Sequence, residues 1–458
     1  MRDADVIVLG AGPAGLAAAW EVAQHGGSVL VLEAEERVGG MAGTVEREGY
    51  RFDHGGHRFL TRSPQLLGRV RALLGDDALI VDRQSVILHA GRRIGYPLEL
   101  ADLLRQVPWR HAGRYLGSYL YERLRRPARD EGSFEGWMIS RFGTALYREF
   151  FEPYTRKLWG LEPRRLSSEW VPQRIGRFDL GVALRAMLPG APPAPRTYAR
   201  RFLYPRLGMG QLFEAIAHEL ERLGGRVLRK APVSALRLEG SQVRAVSAGG
   251  AELTARSFIS TLPLPVLLGL LGHASRLRFR ALRLLNLMLE EPLGLGSTWA
   301  YLSDGRGRVT RVQDPQRRSP WMVPPGRGSL QLEIPLSPDD PLRKLSAPEL
   351  LDCVRGELEA VGLSLPRRLR DVFAVTLPCA YPVLDLGARA ELERGLGQLA
   401  SHRNLEVCGR QGRFSYIFSD RAMEEGSRAA CRTLGIEPAP TPDREETECP
   451  LEAASLLG

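Results

Sequence analysis

Gly10-Ala11-Gly12-Pro13-Ala14-Gly15 is the first stretch whose residue types and spacing imply chemistry. It lies between an apolar run (Val6 to Leu9) and an alanine-rich helical pattern (Leu16 to Gln24). Three glycines in that setting make a phosphate cradle. Gly10 permits the tight turn, Gly12 lets a pyrophosphate approach the backbone, and Gly15 lets helix and strand pack closely. The free N–H groups and the positive end of the helix dipole then face the phosphates. A second apolar run ends at Glu33-Ala34, where a carboxylate accepts hydrogen bonds from a ribose hydroxyl and repels a 2′-phosphate. Arg37-Val38-Gly39-Gly40-Met41 follows, with two glycines that let the backbone run beside a long cofactor. Gly55-Gly56-His57-Arg58 forms a glycine loop expected to line that cofactor. Near the other end, Gly409-Arg410-Gln411-Gly412 opens towards a final helical pattern, a second place where N–H groups can meet an anion.

The elements that must position these groups follow from periodicity. Strand, glycine turn, helix and strand over Asp5 to Gly40 make a βαβ unit. Gly43 to Phe59 alternates as a hairpin turning near Glu48-Gly49, and Ser63 to Leu74 reads as a helix. From Leu98 to Phe151 the pattern is helical. Its best helix starts at Ser133 and carries Trp137, Phe142, Leu146 and Phe150 on one face until Pro153 breaks it. Leu188 to Pro195 reads as a linker or mobile loop. A strand at Arg226 to Leu228, a hairpin over Ala235 to Leu253 and a strand at Phe258 to Thr261 return the chain to the nucleotide unit. Residues Leu277 to Thr376 read as a strand-rich lobe with one helix, Ala347 to Val361. The boundaries are therefore a discontinuous nucleotide domain (1–95, 204–265 and 400–435), a helical insertion (96–203), an α+β substrate lobe (266–399) and a disordered acidic tail (436–458).

Composition bounds the reading. The chain of 458 residues is 44% hydrophobic and 25% charged, which suits a globular protein of two or three interleaved domains. Its formal charge is +10; the tail contributes −5, leaving +15 on the body. The arginines are dispersed, and no nucleic-acid module is present. Five scattered cysteines without metal spacing point to reduced thiols and a cytoplasmic setting. No metal is expected. No apolar run is long enough to span a bilayer, and a peripheral membrane contact stays open. There is no Ser/His/Asp order, HExxH or Walker lysine, so hydrolase and metalloenzyme readings lack support.

The N-terminal unit, the Arg37/Gly39/Gly40 segment and the Gly409-Arg410 turn together resemble the flavoproteins that include monoamine oxidases, protoporphyrinogen oxidases, phytoene desaturases and UDP-galactopyranose mutases. The resemblance implies an α/β fold: a glutathione-reductase-type FAD-binding Rossmann domain, an inserted helical segment and a β-sheet-rich substrate lobe. It implies FAD, held by Gly10 to Gly15, Glu33, Ala34, Arg37, Gly39, Gly40, Met41, His57, Val233, Gly409, Arg410 and Phe418. The middle of the chain is most similar to the mutases, through Gly55-Gly56-His57, Tyr154-Thr155-Arg156-Lys157-Leu158-Trp159-Gly160, Arg174, Thr310-Arg311 and Tyr381-Pro382-Val383. On that likeness Arg174 and Arg311 clamp a substrate diphosphate, Phe150 and Tyr154 flank a base, Trp159 sits near the sugar, and Tyr381 and Tyr416 lie near the phosphates. His57 stands beside the flavin. Leu60 and Phe418 occupy positions where the mutases carry a second histidine and an acid.

The implied function is action on a nucleotide-diphosphate sugar, with reduced flavin N5 attacking the anomeric carbon and the sugar ring interconverting between pyranose and furanose. Oxidation of an amine, porphyrinogen or polyene by a related FAD oxidoreductase is the alternative. A non-catalytic binding protein like the Rab GDP-dissociation inhibitors comes third. The expected partner is a small molecule.

Overall fold

A computed structural model describes residues 2–89, 91–96, 109–124, 132–171, 200–303, 305, 307–440 and 451. Two seven-stranded sheets carry the architecture.

The first sheet is built on β1 (Ala4–Leu9), followed by α1 (Pro13–Gln24) and β2 (Val29–Leu32). The strands β1 and β2 are parallel and in register from Val6↔Val29 to Leu9↔Leu32. Both are near-continuous apolar runs, as strands covered on two faces must be. The hairpin β3 (Thr44–Arg47) and β4 (Tyr50–Asp53) comes next, then α2 (Pro64–Leu74) and β5 (Ala78–Asp82). After the helical region, β8 (Arg201–Pro205) and α6 (Met209–Arg222) lead back through β9 (Arg226–Leu228), β10 (Val233–Glu239), β11 (Gln242–Ala248) and β12 (Ala251–Ser260). The sheet order is β10-β11-β12-β1-β2-β9, with β18 (Leu405–Val407) also on β12. Strand β12 pairs antiparallel with β11 in its first half and parallel with β1 in its second. One face of this sheet is covered by α1, α6 and α10 (Ser419–Leu434), the other by α7 (Leu264–Leu270) and α9 (Ala388–Leu399).

The second sheet runs β17-β13-β16-β15-β14-β6-β7. Its members are β6 (Ser85–His89), β7 (Arg92–Gly95), β13 (Phe279–Leu289), β14 (Trp299–Leu302), β15 (Arg311–Gln313), β16 (Gly328–Leu336) and β17 (Asp371–Pro382), backed by α8 (Ala347–Ala360). Two expected boundaries are corrected here. Residues 85–95 leave the nucleotide unit, because β6 pairs with β14 at Ser85↔Trp299 to Leu88↔Leu302. Residues 388–399 leave the substrate lobe, because Ala388 and Leu399 pack with Leu264 and Leu268 under the first sheet.

The helical region holds α3 (Trp109–Leu124), α4 (Phe134–Phe142) and α5 (Glu152–Trp159). The single helix expected from Ser133 to Phe150 is interrupted at Gly143, which has φ +77°. Tyr147–Phe151 is a π-helix, and Pro153 sits in the first turn of α5 rather than ending a helix. The expected linker at Leu188 to Pro195 lies outside the described residues, as does most of the acidic tail.

Candidate active site

One cavity of about 1640 Å³ runs between the two sheets. Its first end is formed by Gly10, Gly12, Pro13, Ala14, Glu33, Ala34, Arg37, Gly40, Met41, Val233 and Gly409. Gly10 has φ +102°, which turns the chain from β1 into α1. A Cβ on Gly12 would project into open space at the start of α1, where the first-turn N–H groups lack helical acceptors. Gly426 of α10 brings that helix against α1: a Cβ there would lie 2.0 Å from the Ala14 carbonyl oxygen. The Gly409 N–H donates to the Glu425 carboxylate on the same helix at 3.1 Å. The two glycine turns, nearly 400 residues apart in sequence, are thus joined through α10. The cradle fits a dinucleotide pyrophosphate.

Ala11, Gly15 and Gly39, expected to touch the cofactor, stand one layer behind the cavity wall. Ala11 is fully buried; its N–H donates to Glu33 Oε2 at 2.7 Å, and its carbonyl accepts from the Gly39 N–H at 2.8 Å. Gly15 lies against Gly10, where a Cβ would sit 1.9 Å from the carbonyl oxygen. These groups shape the turn. Glu33 Oε1 accepts from the Glu35 N–H at 3.0 Å, and burial raises the Glu33 pKa despite these bonds. Arg410 is braced by the carbonyls of Ile417 and Ala380, both at 2.8 Å, and its guanidinium lies 4.4 Å from the Tyr416 ring centroid. Phe418 lines the cavity under the Arg58 guanidinium.

His57 stands on the wall between the two ends of the cavity. Its Nε2 lies 3.1 Å from the His54 carbonyl. A carbonyl only accepts, so Nε2 carries the proton and Nδ1 of the neutral ring is an acceptor. Burial lowers the His57 pKa to about 4, outweighing Asp53. Asp53 is itself buried and takes hydrogen bonds from the Tyr204 hydroxyl (2.6 Å), the Thr44 hydroxyl (2.7 Å) and the Met209 N–H (2.9 Å), pinning the hairpin to α6.

At the second end Trp159, Tyr381 and Tyr416 meet edge to face, with centroids 5.6–6.1 Å apart. The π-helix brings both Phe150 and Phe151 to the cavity wall. Tyr154 follows on α5 and contacts Tyr301 of β14 at 6.0 Å. Burial holds the Tyr154 and Tyr381 phenols far above their ordinary pKa, so both are protonated donors at neutral pH.

Arg311 lies at the centre of this end. Its Nη2 donates to both oxygens of Glu333, at 2.6 and 2.7 Å. The two residues are direct cross-strand partners in β15 and β16. Burial works against the Arg311 charge, but Glu333 and neighbouring groups hold its pKa well above the usual value. Nη1 makes no hydrogen bond among the described residues, and the residue lines the cavity. Glu333 also accepts from the Gly56 N–H (2.9 Å) and from Gln313 Nε2 (2.6 Å). Gln313 continues to Gln331 at 2.8 Å, and Gln331 to Asn286 at 2.7 Å.

The structure therefore brings His57, Phe150, Tyr154, Trp159, Arg311, Tyr381, Tyr416, Arg410 and Phe418 to one cavity. Arg174 lies outside the described residues. Sequence reasoning missed Glu333, Gln313 and Tyr301. A lone glutamate in a strand carries no local signal, and only the register between β15 and β16 sets Glu333 opposite Arg311; Gln313 lies two residues along β15, on the same face as Arg311.

A model of the flavin containing amine oxidoreductases matches residues 13–432. Chloroplastic protoporphyrinogen oxidase of Nicotiana tabacum is 28% identical over 210 residues, 42% of this chain and 38% of that protein. Chloroplastic protoporphyrinogen oxidase 1 of Arabidopsis thaliana is 26% identical over 311 residues, 61% of this chain and 56% of that protein. The chain thus spans about two-fifths to just over half the length of these relatives. Among solved structures, reduced UDP-galactopyranose mutase superposes with a TM-score of 0.83 at 22% identity, covering 95% of this chain and 96% of that one. At that identity the likeness is one of fold.

Proposed function

The chain belongs to the flavin containing amine oxidoreductase family and is an FAD-dependent enzyme; from that footing we propose that it acts on a nucleoside-diphosphate sugar in the manner of a UDP-galactopyranose mutase. The observation that carries this reading is the set of donors at the second end of the cavity. Arg311 Nη1 and the hydroxyls of Tyr154 and Tyr381 are held as donors, with no hydrogen-bond partner among the described residues. A diphosphate is a cluster of acceptors and suits such a wall. Glu333 balances the Arg311 charge, so Arg311 offers directed N–H groups, while the Arg410 guanidinium beside the Tyr381 and Tyr416 rings adds positive charge to the same wall.

Arg311 and the two phenols would bind the diphosphate oxygens and stabilise them as they leave. Trp159 and Phe150, each almost fully buried, would give the sugar and base a rigid shelf. His57 would present Nδ1 as a neutral acceptor across the physiological range. FAD, when bound and reduced, supplies a nucleophilic ring nitrogen.

The names of the sequence relatives favour a second reading, oxidation of a porphyrinogen or an amine. An amine cation would seek the faces of Tyr381 and Tyr416. Arg410 already lies over the Tyr416 ring, so a second cation there meets like-charge repulsion. The two readings separate in one assay: the dithionite-reduced protein is incubated with UDP-, GDP- and dTDP-sugars. Conversion of one of them supports the mutase reading. No conversion, with flavin reduction by an amine or porphyrinogen instead, removes it.

A further inference from the structure

Helix α3 carries Trp109, Leu116, Leu120 and Leu124 along one stripe, at spacings of seven, four and four residues. They are 79%, 40%, 49% and 84% exposed. Trp109 and Leu124 are the two most exposed large hydrophobics among the described residues. A core-facing helix does not spend its apolar residues this way. The buried side of α3 is a separate one, made by Tyr115 and Tyr119.

Arginines border the stripe. Arg110 and Arg114 flank it on one side and Arg123 on the other, all exposed, and Arg114 pairs with the Glu149 carboxylate at 2.6 Å. The sequence then continues with Arg125, Arg126 and Arg129, followed by Asp130 and Glu131. The single acid of the helix, Glu122, is half-buried and accepts from the Thr144 hydroxyl.

We infer that α3 docks the protein on an anionic lipid surface, with its apolar stripe in the acyl boundary and its arginines at the headgroups. Charge decides between a bilayer and a second copy of the chain. A two-fold interface sets the same face against itself, so the arginine borders of one copy would oppose those of the other. An anionic leaflet pairs with them instead, and the overall charge of +10 adds long-range attraction. A tryptophan at one end, leucines along the stripe and arginines whose stems reach up to the headgroups are the composition of a helix lying in the interface. The helix also contacts the active-site wall: Tyr115 meets Phe150 with ring centroids 6.3 Å apart. Docking through α3 therefore brings the cavity to the membrane surface.

The test is flotation of the full-length flavin-loaded protein with phosphatidylcholine vesicles, with and without phosphatidylglycerol. The protein should float with the anionic vesicles, bind the neutral ones about tenfold more weakly, and lose binding as salt rises. The double variant Leu120→Glu, Leu124→Glu should stay in solution while keeping the parent's flavin absorbance and melting temperature. Arg110→Ser with Arg123→Ser should weaken binding to anionic vesicles by about tenfold. No flotation of the parent, or flotation undiminished by the leucine variant, overturns the inference. So does light scattering that shows a dimer which the leucine variant dissociates, because the stripe then belongs to a second copy.

Discussion

Arg311 shows what a motif conveys and what it omits. The Thr310-Arg311 segment was legible as a phosphate-binding candidate, and the structure places Arg311 on the cavity wall. Its partner was not legible, because Glu333 reaches it through the pairing of β15 with β16. Removing one member of a buried pair leaves an uncompensated charge, so Glu333→Ala should cost about 3 kcal/mol of stability, measurable by urea denaturation. A loss below about 1 kcal/mol would mean that water reaches Arg311 freely. His57 gives a second expectation. The folded protein keeps the ring neutral down to about pH 4, whereas an unfolded histidine titrates near 6.5. Between those values the unfolded chain binds more protons. The stability held above pH 6.5 is therefore lost as pH falls towards 4, by up to about 3 kcal/mol. Buried Asp314 acts in the opposite sense: its pKa is pushed up to about 6, so its contribution is present at low pH and fades as pH rises through that value. His57→Asn should flatten the fall in melting temperature between pH 6.5 and 4. An unchanged profile would assign the acid lability to other groups.

At the scale of elements, the first βαβ unit could be read from residues 5–40 because every local signal there agrees. The π-helix at Tyr147–Phe151 could not, since apolar spacings of four and five also describe an ordinary helix face. Nor could the move of β6 and β7 into the second sheet. Short strands carry no label for their partners, and the pairing with β14 spans about 200 residues. The contact of α10 with α1 joins the two ends of the chain at Gly426. Gly426→Ala would push a methyl group into the Ala14 carbonyl and force the helices apart. A cost of about 1–3 kcal/mol is expected, together with loss of flavin on gel filtration, read as the ratio of flavin to protein absorbance. A variant that keeps both its flavin and its melting temperature would show that α10 adapts without disturbing the cradle.

For the whole molecule, the cavity between the sheets explains why distant segments meet. Residues from the first forty, the helical region, β15 and the segment after β18 line one space, so a ligand filling it bridges both lobes. Stripping FAD should lower the melting temperature by several degrees, and adding it back should restore the loss. At a hundredfold excess over the dissociation constant this linkage amounts to about 2.7 kcal/mol. Equal melting of apo and loaded protein would contradict a flavin held between the lobes. The central claim concerns what meets the flavin, and titration of UDP into the protein, followed by flavin absorbance, tests it most directly. The account predicts a saturable spectral change in the parent, weakened at least about tenfold by Arg311→Ala in a variant that keeps its flavin. Absence of any change with UDP, GDP or dTDP in flavin-loaded parent protein would contradict it.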